Sequence, residues 1–208
     1  MTRIRQLFTL LLLGACTSAL AQTTPGPSKA PGTAHKVPFQ QKDTAYWIDN
    51  FRQFRDAIYQ KDIAKTKAFF SFPVLRVGNE IWYLAYDGNE QQLKALPDKP
   101  KPFTEKDLEK YYSKLFTRSF INSLLKVKTD ILFSKGSFET PAIKEGAQTF
   151  ILYAEYDKAT RELTLNLASK TPVDTGNGEE EMGEFNIIYS FKVLPNGHIK
   201  FSHVAMAG

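Results

Sequence analysis

Two helical apolar faces followed by two strand hairpins predict an α+β domain, with N-terminal helices packed on a curved, mostly antiparallel β-sheet. In the first face, Trp47, Phe51, Phe54 and Ile58 recur at intervals of four, three and four, which places them on one side of a helix. In the second, Leu108, Tyr111, Tyr112, Leu115, Phe116, Phe120, Leu124 and Leu125 continue a similar face. The strand-forming runs Thr149–Tyr156, Leu163–Ala168, Phe185–Val193 and Ile199–Val204 all follow these helices. Helices that precede antiparallel strands bury their faces best as a layer on one side of the sheet. A chain of 208 residues, 42% hydrophobic and 24% charged, suits one such domain. That composition excludes a wholly disordered chain, a collagen-like repeat and a polytopic membrane protein.

Residues 1–21 read as a signal peptide. Arg3 and Arg5 form a positive n-region, Leu7 to Leu13 a short apolar h-region, and Ala19-Leu20-Ala21 the small residues before a cleavage point. The apolar run decays at Gly14, Cys16, Thr17 and Ser18, short of the roughly 20 residues needed to span a bilayer. Leu13-Gly14-Ala15-Cys16 also resembles the lipobox of bacterial lipoproteins, which would make Cys16 the lipidated first residue. Ala-Leu-Ala-Gln favours cleavage after Ala21, and both readings stay open. The expected location is therefore periplasmic or secreted, or membrane-anchored through Cys16 alone. Cys16 is the one cysteine, so the folded domain is expected to carry neither disulfide nor catalytic thiol.

Residues 22–42 hold Pro25, Pro27, Pro31 and Pro38 with Gly26 and Gly32, and read as a flexible Pro-rich tether. The domain is expected over 43–208, with Asp43 or Thr44 capping the first helix. Asp62 caps a short second helix over Ile63–Phe70 that Pro73 stops. Val74–Val77 and Ile81–Tyr86 read as two strand-like runs around Gly78-Asn79, the second alternatively an irregular aromatic segment. A long connection over Asp87–Pro102 leads to Thr104, an N-cap with Asp107 completing a capping box and Phe103 and Leu108 forming a hydrophobic staple. That helix is expected to run on to Lys126–Lys128. The strands then pair as hairpins 149–156 with 163–168 and 185–193 with 199–204, separated by a polar loop over Val173–Gly183.

This order resembles the NTF2-like, cone-shaped superfamily, in exported bacterial members. The resemblance rests on Phe51-Arg52-Gln53-Phe54-Arg55-Asp56-Ala57-Ile58, Asp62, Phe69, Phe72-Pro73, Phe103–Leu108, Tyr111–Phe116 and the stretch from Ile188-Tyr189-Ser190-Phe191 to Gly208. It implies helices covering a bent sheet around a pocket. The enzymatic members place Asp, His and Tyr inside the cone, and no matching acid/base pair can be placed here. A shared fold does not by itself license an activity.

The candidate site residues follow from that layout. Period-two alternation puts His203 on one face with Ile199, Phe201 and Ala205, where it would line an interior pocket as an acid or base. Tyr189, on a face with Phe185, Ile187, Phe191 and Val193, is its candidate partner or a core residue. Trp82, Tyr83 and Tyr86 are a candidate pocket or partner contact, weighed against core packing. Glu155 reads as a surface carboxylate and His198 as a turn residue. The oxygen-rich Asp174–Glu181 run lacks EF-hand spacing and reads as a solvated loop, so no metal and no cofactor is expected.

Charge narrows the partners. The chain carries 27 Lys+Arg against 22 Asp+Glu, and loss of Arg3 and Arg5 with the signal leaves 25 against 22, or +3. The signs are mixed and form no Lys/Arg stripe, so no nucleic acid is expected. The resulting expectation is a noncatalytic exported domain that binds a small apolar ligand or an envelope protein. Two alternatives remain: an isomerase- or dehydratase-type enzyme using a pocket His, and a lipid-tethered interaction protein.

Overall fold

Every helix precedes every strand among the residues that the computed structural model describes, which are 46–74, 80–97, 101–174 and 180–208. The signal segment with Cys16, the tether, Asp43, Thr44 and Gly78-Asn79 lie outside them, and the first helix takes Tyr46, not Asp43 or Thr44, as its N-cap. The helices are α1 (Trp47–Tyr59), α2 (Ile63–Lys67), α3 (Glu80–Ala85), α4 (Glu90–Lys94), α5 (Glu105–Leu115), α6 (Arg118–Leu125) and α7 (Thr129–Lys135). The strands are β1 (Ser137–Glu139), β2 (Ile143–Glu145), β3 (Gln148–Asp157), β4 (Glu162–Asp174), β5 (Glu180–Val193) and β6 (Ile199–Ala207). They form one antiparallel sheet in the order β1-β3-β4-β5-β6, with β2 also on β3, and the sheet does not close into a barrel.

The helix starts follow local chemistry. Asp62 accepts the Lys65 amide at the head of α2, and Thr104 and Asp107 close a reciprocal capping box on α5. The staple residues Phe103 and Leu108 are fully buried. The expected single helix from Thr104 to Lys126–Lys128 is instead two. Phe116 leaves helical geometry, and the Thr117 hydroxyl then accepts the Phe120 amide to start α6. The apolar pattern continues unbroken across that corner because both helices face the same core.

Three further expectations are corrected. Ile81–Tyr86 is not a strand: residues 80–85 form α3, whose face carries buried Ile81, Trp82 and Ala85. Val74 bonds across to Phe103 as an isolated bridge. The connection over Asp87–Pro102 holds α4, capped by Asn89. Val173, Asp174 and Glu180–Gly183 belong to strands and not to the expected polar loop, since β4 reaches Asp174 and β5 begins at Glu180. α7 ends at Gly136, whose φ of 80° supplies the left-handed C-cap and whose carbonyl accepts the Tyr156 amide.

The sheet's inner face carries Phe150, Leu152 and Ala154 on β3, Leu163, Leu165 and Leu167 on β4, Tyr189, Phe191 and Val193 on β5, and Ile199, Phe201 and Val204 on β6. The helices cover this face with Phe51, Phe54, Phe69, Phe116, Phe120 and Leu124. Phe54 lies 4.9 Å from Phe191, 5.3 Å from Phe69 and 6.2 Å from Phe116, and Phe120 lies 4.5 Å from Tyr189, all between ring centroids. Interlocking rings thus pack around Phe54 and Tyr189 between the helices and this face. Each such side chain contributes about 1.5–3 kcal/mol by leaving water.

Candidate functional site

The α1–α2 corner is where the helical layer opens. After Gln60, Lys61 takes a φ of 52°, its amide donates to Ile58, and the Asp62 amide donates to Ala57. These two bonds make a Schellman closure with lysine at the left-handed position where glycine is preferred. Lys61 is thereby aimed out of the corner, beside exposed Tyr59. On the opposite side, the α5–α6 break places Ser113 and Phe116 at the end of one helix and Arg118, Ile121 and Asn122 at the start of the next.

Between these elements lies a groove of about 430 Å³, lined by Tyr59, Lys61, Tyr112, Ser113, Phe116, Arg118, Ile121 and Asn122. Tyr112, Phe116 and Ile121 are buried and form an apolar floor continuous with the core. The Tyr112 hydroxyl is 3.3 Å from that of Thr66, and burial pushes its phenol above the ordinary range, so it stays neutral. Asn122 donates its amide to Glu145 at 3.0 Å. The rim carries two cations and no carboxylate. Neither Lys61 nor Arg118 forms an ion pair among the described residues, a state they share with other surface cations such as Lys106, Lys128 and Lys158. Further along α6, Asn122, Leu125 and Lys126 face Pro141, Ala142 and Ile143 across a second hollow.

The sequence-derived candidates fall elsewhere. Trp82 is buried, donates Nε1–H to the Lys101 carbonyl at 3.1 Å, and packs on Phe103, Tyr86 and Tyr111. Tyr83 is exposed. Tyr86 lines a more polar hollow of about 530 Å³ with Tyr111, Asn89 and Gln92. The cations there are already engaged: Lys114 pairs with Asp87 at 2.6 Å, and Lys110 sits 4.8 Å from the Tyr111 ring.

His203 does not share a face with Ile199, Phe201 and Tyr189. Phe191 pairs with Phe201 but Ser190 with His203, so Ser202 is an extra residue in β6 and the alternation flips there. Val204 turns inward to face Tyr189, and His203 turns to the outer face of the sheet. It joins Ser190, Ser202 and Glu162 there, with Nδ1 3.2 Å from Ser202 Oγ. Tyr189 is a core residue, donating its hydroxyl to the Leu115 carbonyl at 2.5 Å, and burial raises its phenol far above the ordinary range. Glu155 is exposed on the outer face, and residues 175–179 of the oxygen-rich run lie outside the described residues.

The groove residues carry no sequence signature of their own. They come from the end of α1, the corner after it and both sides of the α5–α6 break, which only folding brings together. The one local signal was a lysine directly after the last turn of α1, ahead of the capping Asp62. Among the described residues no helix is long and apolar enough to cross a membrane. Compared with protein-family models, with curated proteins and with solved structures, the chain finds no match.

Proposed function

We propose that this chain is an exported, noncatalytic binding domain of NTF2-like architecture that holds a small, largely apolar ligand in the groove between α1, α5 and α6. The observation that carries this reading is the groove itself. Its volume of about 430 Å³ is in the range of small-ligand sites, and buried Tyr112, Phe116 and Ile121 form its floor. The order of helices and antiparallel strands supports the architecture, and the n-h-c pattern of residues 1–21 supports export. On this reading the ligand sits among the helices, where a corner and a helix break leave a hollow.

The neutral fluorophore N-phenyl-1-naphthylamine tests this. It is expected to bind saturably, with one site per chain and enhanced emission. Ser113→Trp, at an exposed position of α5 that lines the groove, fills the hollow and abolishes that binding while circular dichroism stays unchanged. Saturable binding that survives Ser113→Trp, or no binding to the wild-type chain, would overturn the reading.

A further inference from the structure

We infer that the ligand of this groove is an amphipathic anion: an apolar body bearing one carboxylate or comparable acidic group, with the acid held between Lys61 and Arg118. The inference rests on the groove reading above and adds the ligand's charge and its orientation.

Three observations converge on it. The first is the imbalance of the lining: two cations, no carboxylate and an apolar floor. In a chain with nearly balanced charge, such a local excess selects for an anion at the rim and hydrocarbon beneath it. The second is availability. Nearby acids are already engaged: Asp62 by the Lys65 amide and ammonium, Asp56 beside Arg55, and Glu145 by the Asn122 amide. Lys61 and Arg118 keep all their donors for a ligand among the described residues, and a carboxylate fits the guanidinium fork.

The third is the backbone at Lys61. A left-handed φ of 52° at a residue with a side chain costs about 1 kcal/mol relative to glycine, which the closure after α1 would otherwise favour. A lysine here sets an ammonium at the groove mouth at the expense of stability. Strain of this kind gathers at sites where a side chain is needed. The floor adds no competing donor, because the Tyr112 hydroxyl is committed to Thr66.

The test titrates the full chain with decanoate, decanol and decyltrimethylammonium, each displacing N-phenyl-1-naphthylamine. Decanoate is expected to bind at least about tenfold more tightly than decanol, the difference that a charge-assisted hydrogen bond supports, with the cation weakest. Arg118→Gln and Lys61→Gln should each remove most of that preference and leave decanol unchanged. Lys61→Gly should likewise lower decanoate affinity while raising the melting temperature, an opposition that a purely structural lysine would not produce. Equal affinity for decanoate and decanol overturns the inference and leaves the groove reading standing. Failure of all three to displace the fluorophore overturns both.

Discussion

Tyr189 shows how one hydroxyl ties the two layers together. Its O–H reaches across from β5 to the Leu115 carbonyl at the end of α5, a group left without an intrahelical partner by the helix break. Tyr189→Phe keeps the ring and strands that buried carbonyl. It is expected to destabilise the domain by about 1–3 kcal/mol, read as a lower urea midpoint with an unchanged slope. Glu162 works on the outer face. Burial alone would raise its carboxyl, but hydrogen bonds from Lys192 and Ser190, with the charges of Lys192 and His203, hold it below the ordinary value of 4.5. Its contribution is therefore fully present above about pH 4.5 and fades as pH falls through the lower folded value. Glu162→Gln is expected to flatten the fall in melting temperature as pH drops below about 4.5, without changing ligand affinity. The side of the sheet on which His203 lies was not legible from alternation. Period two holds only while register holds, and one extra residue at Ser202 reverses every side chain after it.

At the scale of elements, capping chemistry was the most legible part. Asp62, Thr104 and Asp107 act where their side chains predict, because a cap depends on neighbours within three residues. The α5–α6 break was hidden for a different reason. Thr117 carries the same kind of cap signal, but the apolar spacing on either side of it suits one continuous helix as well as two. Thr117→Ala is expected to cost about 1 kcal/mol, and, since Arg118 follows directly, to weaken decanoate binding more than decanol binding. Urea titration and the fluorophore displacement assay read these two effects separately. α3 was misread because Ile, Trp and Tyr favour strands intrinsically, whereas packing Trp82 against Phe103 and Tyr111 decides the outcome in favour of helix. Tertiary contacts of that kind leave little local trace.

The whole domain is organised by aromatic packing between one helical layer and one sheet face. Binary patterning made that layering legible, since Phe51, Phe54, Leu165 and Phe191 lie inside where periodicity puts them. It could not show whether the space between the layers is hollow, because volume filling depends on how rings from distant segments interlock. In this chain the rings of Phe69, Phe116 and Phe191 pack around Phe54, and the groove proposed as the ligand site lies at the surface of the helical layer. Methyl-resolved NMR of isoleucine-labelled protein tests that placement directly, since Ile121 lines the groove while Ile151 and Ile188 lie on the outer face of the sheet. On titration with decanoate, the Ile121 methyl is expected to shift progressively to saturation, with Ile151 and Ile188 unmoved. Saturable shifts at Ile151 or Ile188 with Ile121 unchanged would contradict it.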